Sequence, residues 1–558
     1  MRAVDLHTHS NKSDGTLTPA QLVALALEKN LAALALTDHD TTDGIAEAVA
    51  AARDTGLEVI PGIELSTEYE GRDIHIVGLY LDYGMEGFQE RIHAFADARD
   101  LRNQKMCEKL CAAGIPVPYE ALQKECGEAV VTRAHFARYM LRHGLIGTLK
   151  EAFDKYIGDE CPYFVPREKI TPHMAVQFLL SVHAVPVLAH PMQYRMTPQE
   201  LETLVASLQK EGLLGIEVWY CTHTPQQSAA LAQLARKYGL LESGGSDFHG
   251  SNKPVLELGT GYGGLFVPET LLTAMKHRLH NVSADTKLFF SDLDGTLLNS
   301  EKNVTPATKA ALDRFAAAGN RFVMLSGRAT SNVLTIRDEQ GLNYPGMYVS
   351  GFNGAEIIEG GTGRVVFREG IPIPAVRRVM DIAKECGVYC QTYAEPAIVC
   401  RHITKETDYY RRVIKMPVLT DEDDPASLLP EEPCKCIGIE LDDVSKLETM
   451  RLRVQAELGG TVDVFYSNPN YLEVVSVHAN KGVALRRLCR YLGLPAENAL
   501  AAGDAQNDIP MLRAAGTGAA MCNGVKLLPE LAEAADLITE ADNDHDGLAP
   551  VIARLMEQ

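Results

Sequence analysis

The sequence predicts an α/β protein of two large domains, each built from repeating strand and helix units and each interrupted by an insertion. Three observations carry that prediction. The chain has 558 residues, room for roughly three or four units of about 150 residues or for two large ones. Short apolar runs alternate with helical patterns in two separate stretches. Hydrophobic residues make up 46% and charged residues 23%, ordinary globular usage, so both stretches can bury a core.

The first stretch opens with a strand at Ala3 to Leu6, a helix after Thr18-Pro19, a strand at Ala32 to Leu36, a helix after Asp43-Gly44 and a strand at Leu57 to Ile60. Such alternation signals β/α units with parallel strands. Thr18 offers an N-cap and Pro19 suits a first helical position, while Asn30 and Gly56 fall where helices should stop. From about Glu86 to Pro172 the strand signal fades into charged, helical-looking sequence, including Arg91, Arg99, Arg102, Lys105, Arg133 and Arg138, which reads as a helical insertion (86–172). The rhythm resumes at Val185 to Ala189, Gly215 to Tyr220 and Leu240 to Gly245 and ends near His280, giving a first domain over 1–280. After the polar Asn281 to Asp285, Lys287 to Ser291 opens a second domain over 286–558. Its pattern continues at Arg321 to Leu325 and Ala499 to Ala502, with an inserted mixed α+β cap at about 372–476.

Lys and Arg total 53 against 74 Asp and Glu, so the net charge is −21. That balance argues against capture of long duplex nucleic acid but leaves room for a local basic pocket that takes a small phosphate ester. The 12 cysteines are scattered, and the close pairs Cys107/Cys111 and Cys434/Cys436 lack the spacing of a zinc knuckle, so reduced structural thiols are expected. Asp5 and His7 sit where an export signal needs apolar residues. The longest uncharged run, Met174 to Met192, contains Gln177, Ser181, His183, Pro186 and His190, badly placed for a bilayer. A soluble, cytoplasmic protein without a membrane partner is the expectation.

His7-Thr8-His9 places two imidazoles on one side of an extended segment, because side chains at i and i+2 face the same way. Asp14, His39, Glu64, His75, His190, Asp247 and His249 follow or lie within predicted strands, mostly where a strand ends. In β/α barrels the C-terminal strand ends form the active face, so these residues can converge from across the domain. Nine such groups exceed the needs of one metal site, and a pair of ions can acidify water and clamp both the attacking and the leaving oxygen of a phosphate. A single histidine such as His75 is more often a satisfied core or surface residue. The ordered set Asp-Leu-His-Thr-His-Ser, Thr-Asp-His-Asp, Gly-Ile-Glu, Ala-His-Pro and Gly-Ser-Asp-Phe-His outweighs that reading.

With these motifs, residues 1–280 resemble the PHP family of metal-dependent phosphoesterases, which implies a distorted β/α barrel. The resemblance implies one metal on His7, His9, Glu64 and Asp247, with Glu64 bridging to a second held by His75 and His190, and a third with Asp14, His39 and His249. Two or three Mn2+, Zn2+ or Fe2+ ions are implied; some members with three metals carry histidine where this chain has Asp14. Thr132-Arg133-Ala134-His135 and the placement of the insertion look most like the branch that removes phosphate from nucleoside 3′,5′-bisphosphates and trims short RNA from the 5′ end, with alanine replacing the usual proline. Arginine gives a planar fork for phosphate oxygens, so Arg99, Arg102 and Arg133, with His135, are the candidate substrate contacts. The competing reading of Arg99 and Arg102, i and i+3 neighbours on a helix, is a solvated face.

In the second stretch, Asp292-Leu293-Asp294-Gly295-Thr296 places two carboxylates two residues apart after an apolar strand, with a glycine for the turn. Leu325-Ser326-Gly327-Arg328, His478-Ala479-Asn480-Lys481-Gly482 and Gly503-Asp504-Ala505-Gln506-Asn507-Asp508 follow in order. This resembles the haloacid-dehalogenase-like (HAD) phosphatases, and Gly351-Phe352-Asn353-Gly354-Ala355 points to their Cof-like branch with a large cap on a Rossmann-like core. By that resemblance Asp292 attacks phosphorus, Asp294 handles the leaving-group proton, and Ser326, Lys481 and Asn507 hold the phosphate. Asp292, Asp294, Asp504 and Asp508 would hold Mg2+. Ser326 stands where threonine is commoner.

The leading expectation is a bifunctional phosphatase, with a first half acting on small nucleotides or short single-stranded RNA and a second acting on a small phosphomonoester. The rivals are a histidinol-phosphate phosphatase in the first half, disfavoured by the arginine-bearing insertion and Asp14, and a nucleotide-sensing module with one inactive site, disfavoured by intact motifs in both halves.

Overall fold

A computed structural model describes residues 2–557 apart from 54, 86, 128, 159–160, 166–169 and 414–415. The expected start of the insertion, Glu86, lies outside the described residues. The chain divides into two compact units, Met1–Met275 and Lys276–Gln558.

The first unit holds seven strands in chain order across one sheet: β1 (Val4–Thr8), β2 (Ala33–Leu36), β3 (Glu58–Tyr69), β4 (Arg72–Leu79), β5 (Val185–Leu188), β6 (Gly215–Tyr220) and β7 (Leu241–Gly245). The last strand returns to the first: the Asp247 N–H donates to the His7 carbonyl and the His9 N–H to that of Phe248, each at 2.9 Å, so the sheet is nearly a closed barrel. Gly245 permits that closure, because a Cβ there would lie 2.5 Å from the Cβ of His7. The N-terminal signals act as read: Thr18 accepts from the Gln21 N–H at the head of helix Pro19–Glu28.

Strands β1–β3 and β5–β7 pair in parallel as the β/α pattern signals, but β4, which the pattern does not reveal, runs antiparallel to both neighbours. The cause is a tight turn: Glu70 and Gly71 have φ of 52° and 79°, the two positive angles that a hairpin closed by the Tyr69–Arg72 pair requires. β3 is accordingly far longer than the Leu57–Ile60 run. Between β4 and β5 come helices Phe88–Ala112, Tyr119–Cys126, Arg133–Arg142 and Leu149–Ala152, packed around their own core of Met106, Leu110, Phe136 and Met140.

The second unit has two sheets. The core strands are β8 (Leu288–Ser291), β9 (Arg321–Leu325), β10 (Tyr348–Gly351), β11 (Glu356–Glu359) and β12 (Val365–Arg368). The cap strands are β13 (Tyr389–Ala394), β14 (Ala397–Cys400), β15 (Val418–Thr420), β16 (Cys436–Ile439), β17 (Val462–Asn468) and β18 (Tyr471–Ser476), after which the core resumes with β19 (Ala499–Gly503), β20 (Thr517–Ala520) and β21 (Leu537–Ile538). The core order is β12-β11-β10-β9-β8-β19-β20-β21, with β8 between β9 and β19 and parallel to both. The chain turns opposite ways from β8, a switch point where a doubly wound sheet opens a crevice at its strand ends. In the cap, ordered β15-β14-β13-β16-β18-β17, one face of the sheet packs Leu472 and Val474 with Val376, Val379, Met450 and Val454 from helices Ile373–Cys386 and Ser445–Leu458. The other face turns Ile437, Ile439 and Tyr393 toward Phe352 and Ala479 of the core loops. No helix among the described residues is long and apolar enough to cross a membrane.

Candidate active sites

In the first unit, all nine predicted His, Asp and Glu residues meet at the strand ends. Glu64, 1% exposed, lies at the centre. Its Oε1 is 2.8 Å from His75 Nδ1 and 2.9 Å from His190 Nε2, and its Oε2 is 3.2 Å from His7 Nε2, His9 Nε2 and His39 Nδ1. Asp247 Oδ1 is 3.2 Å from His9 Nε2, and Asp14 Oδ1 is 3.1 Å from His249 Nε2. Sets whose ligand atoms lie within 4.8 Å of one another are His9, Asp14, His39 and His249; His7, Glu64 and His190; His7, His9 and Asp247; and His39, Glu64 and His75. Geometry therefore puts His190 with His7, and His75 with His39, around the shared Glu64. His190 and Asp247 hold positive φ, 27° and 55°, strain of the kind that concentrates at functional sites.

The donor chemistry fits divalent cations. His7 Nε2, both ring nitrogens of His9, His39 Nδ1, His190 Nδ1 and Asp14 Oδ1 are buried without a hydrogen bond, although carboxylate and imidazole atoms stand close by. Buried polar atoms are rarely left so, and imidazole and carboxylate lone pairs converging without a proton between them are the ligand set of a transition metal.

A supporting layer escaped the sequence reading. Glu217 Oε1 lies 2.9 Å from His7 Nδ1, and its Oε2 accepts from the His190 N–H at 2.6 Å. Asp38 accepts from both Ser10 and Ser13 hydroxyls at 2.6 Å. Asp73 lies 3.5 Å from His75 Nε2, and Asp247 Oδ2 accepts from Lys253 at 2.6 Å and Tyr220 at 2.7 Å. Such outer carboxylates fix ring orientation and raise ligand basicity. The signals for two of them were present: Glu217 is the one charge in the apolar run Gly215 to Tyr220, and Asp38 adjoins His39.

Beside the cluster opens a cleft of 340 Å³, lined by Asp14, His39 and Glu64 and by Arg99, Arg102 and Arg133. The solvated-face reading is wrong: Arg99 is 2% and Arg102 5% exposed. Arg99, however, commits its fork to Asp40 Oδ2 at 2.6 Å and Ser66 Oγ at 2.8 Å, which fixes the loop carrying His39. Arg133 donates to Asp73 at 2.7 Å and stacks on Phe164. Arg138, not singled out from sequence as a substrate contact, also lines the cleft. His135 does not line it. Its Nδ1 accepts from the Thr132 N–H at 3.0 Å, capping the helix, and burial followed by the Arg138 charge holds its pKa down at about 4, so the ring is neutral.

In the second unit, Asp292 follows β8, Ser326 follows β9 and Asp504 follows β19. Lys481, fully buried at the head of helix Lys481–Leu492, donates to Asp292 Oδ1 at 2.5 Å and Asp508 Oδ1 at 2.6 Å. Against the burial that would discharge it, those two carboxylates keep its ammonium charged. Asp292, Asp504 and Asp508 bring one oxygen each within 4.8 Å of one another. Burial, then the Asp508 charge, pushes the Asp504 carboxyl up to about 6, a repulsion that a dication relieves, so this trio also fits a metal. Gly295, at φ of 86°, allows the approach, since a Cβ there would lie 2.3 Å from Asp504 Oδ2.

The Asp294 side chain is not in the trio. Arg328 reaches it through Nε at 2.7 Å and Nη2 at 2.8 Å, and Lys302 at 2.8 Å; although burial alone would raise its pKa, these cations hold it below the usual value. The metal role given to that side chain is corrected accordingly. The Ser326 hydroxyl accepts from the Arg328 N–H at 3.2 Å, and Asn507 Nδ2 donates to Asn353 Oδ1 at 2.8 Å.

Known proteins match the two halves separately. The PHP domain model matches residues 5–156, and the haloacid dehalogenase-like hydrolase model matches residues 289–552. The first half is similar to a 5′-3′ exoribonuclease of Haemophilus influenzae, 38% identical over 245 residues that are 44% of this chain and 89% of the relative. It is also similar to a 3′,5′-nucleoside bisphosphate phosphatase of Chromobacterium violaceum, 34% identical over 45% of this chain and 88% of the relative. A solved haloacid dehalogenase-like hydrolase of Bacteroides thetaiotaomicron is 30% identical over 48% of this chain and 99% of its own, with a TM-score of 0.44. The chain thus belongs to the PHP family through its first half and to the haloacid dehalogenase-like hydrolases through its second, and is a phosphoric ester hydrolase.

Proposed function

We propose that the first half removes phosphate from small nucleotides such as nucleoside 3′,5′-bisphosphates, or trims the 5′ end of short oligoribonucleotides, and that the second half hydrolyses a small phosphomonoester. The observation that carries the first reading is one cleft lined by both the imidazole and carboxylate cluster and a group of arginines, two of them buried. Its similarity to an exoribonuclease and a bisphosphate phosphatase supports the same substrate class. The imidazole-rich first set suits Mn2+, Zn2+ or Fe2+ on His7, His9, Asp14, His39, Glu64, His75, His190, Asp247 and His249, and the carboxylate set Asp292, Asp504 and Asp508 suits Mg2+. Ions held there polarise phosphoryl oxygens and acidify water.

The chain's own residues do the rest. In the first site Arg102, Arg133 and Arg138 orient a phosphate with planar donors, while Glu217 and Asp73 hold ligand rings in one tautomer and orientation and Asp38 ties down the loop of Ser10 and Ser13. In the second, an Asp292 oxygen attacks phosphorus, the P–O bond to the leaving group breaks, and Asp294 gives that oxygen a proton. Water then attacks the aspartyl-phosphate, losing a proton to Asp294 as inorganic phosphate departs. Lys481, Ser326 and Asn507 hold the phosphoryl oxygens, and Lys481 offsets their charge. Asp294 must leave Arg328 and Lys302 to do this.

The test is phosphate release from adenosine 3′,5′-bisphosphate with Mn2+, comparing the unmodified protein with Asp292→Asn. Survival of the activity supports the assignment to the first half, and its disappearance moves that activity to the second half. No release in either protein overturns the nucleotide reading.

A further inference from the structure

The cap contributes two buried charges that the chemistry above does not use. Glu473 sits between Leu472 and Val474 in β18, whose side chains face the cap helices, so alternation along the strand turns Glu473 to the opposite face, toward the core loops. Lys435 precedes β16 on the same face. They are 5% and 2% exposed. Lys435 Nζ donates to the Gly327 carbonyl at 2.8 Å, lies 3.3 Å from Glu473 Oε1, and rests 5.9 Å and 5.7 Å from the ring centroids of Phe352 and Tyr393. Gly327 belongs to the loop that carries Ser326. Glu473 Oε2 accepts from Asn353 Nδ2 at 2.8 Å, and Asn353 Oδ1 in turn accepts from Asn507 Nδ2 at 2.8 Å.

The direction of this chain is dictated by chemistry. An ammonium only donates and a carboxylate only accepts, so Asn353 must turn its NH2 to Glu473 and its oxygen to Asn507. That fixes which way the Asn507 amide faces, and with it the second N–H that Asn507 can offer a phosphoryl oxygen. Phe352 and Asn353 hold φ of 51° and 58°, a rare conformation for side-chain-bearing residues that persists only where surroundings over-determine it. A buried ion pair adds little stability over apolar packing, so stability does not account for these two charges.

We propose that Lys435 and Glu473 are positioning residues that make the phosphate-binding orientation of Asn507 conditional on the seated cap, through Asn353. When the cap lifts, the Glu473 acceptor leaves and both asparagine amides are free to turn over. The phosphate site is then complete only when the cap has closed on a substrate. This rests on the reading of the second site as a phosphoryl-transfer centre.

The experiment uses the full chain with p-nitrophenyl phosphate and Mg2+, subtracting the rate of Asp292→Asn, and in parallel the thermal shift produced by orthovanadate. Glu473→Gln, whose amide can also donate, is expected to lower kcat/KM and orthovanadate affinity about tenfold each. Added to Asn507→Ala, the same substitution should cost less than a further twofold. Multiplying losses in that double variant would overturn the relay, because Glu473 would then act elsewhere. If Glu473→Gln fails to fold, Asn353→Gly serves, since glycine tolerates the same backbone angle and removes both the donor to Glu473 and the acceptor for Asn507; an unchanged orthovanadate affinity in that variant overturns the proposal. If the second half hydrolyses nothing but still binds orthovanadate, its phosphatase reading fails while the relay is judged on the vanadate shift alone. No orthovanadate binding by the unmodified protein overturns both.

Discussion

The two active sites solve the problem of gathered charge in opposite ways. In the first, five imidazoles crowd one carboxylate, Glu64, and several ring nitrogens are buried without a hydrogen bond. In the second, two of the three carboxylates, Asp292 and Asp508, share one buried ammonium, Lys481, Asp504 accepts from Thr296, and none of their oxygens is stranded among the described residues. The first cluster is chemically incomplete without cations, whereas the second carries part of its own counter-charge. The lesson is that equal metal dependence for activity need not mean equal metal dependence for integrity.

Substitutions break this comparison most sharply. Asp292→Asn removes the nucleophile and should cut monoester hydrolysis by the second half at least about a thousandfold, with adenosine bisphosphate turnover by the first half unchanged, read by phosphate release. Glu64→Gln should lower first-half activity at least about a hundredfold and also strip metal, seen by elemental analysis of the purified protein. Glu217→Gln tests the layer behind the ligands: metal affinity should fall about 10–100-fold, measured by chelator competition. Arg133→Met should act chiefly on KM for the bisphosphate, by about tenfold, with kcat little changed. The smallest effect sharpens the contrast itself. Mn2+ at about a hundred times its Kd should stabilise the first unit by about 2.7 kcal/mol, and chelation should lower its melting transition more than that of the second unit. Equal shifts in calorimetry would contradict the difference drawn from the stranded nitrogens.

Sequence order made most of the candidate ligands of both sites legible, because they lie at or just beyond a short apolar run whose strand end points into a cleft, whereas Glu64 and His75 lie within the long β3–β4 hairpin. His7 and His9, His39, Asp247 with His249, and Asp292 with Asp504 are all of the first kind. What escaped was held together by pairing across the fold rather than by local pattern. The β3–β4 hairpin turns on Glu70-Gly71, not on the Asn-Gly or Asp-Gly that marks such turns from sequence. Glu217 and Lys435 act on partners far along the chain, so no spacing rule ties them to those partners, even though Glu217 stands out as the one charge in its strand. For Arg99 and Arg102, read as substrate contacts, a wet helix face stayed open as the alternative, because i and i+3 spacing says nothing about which way the helix turns; the helix turns them inward.

The reversed course of β4 has a further consequence. Parallel neighbours in a barrel must be linked by a crossover, and that link is a structural necessity. Antiparallel β4 and β5 need only a short turn, so most of the helical segment between them is not required to close the sheet. Helix Pro172–Ser181 packs into the barrel core, but residues 106–157 have a core of their own, and the segment brings the arginines. An exchange of this segment between relatives would therefore change the arginine lining of the cleft as a unit, and with it the Arg99 and Arg133 links that brace the His39 loop and Asp73.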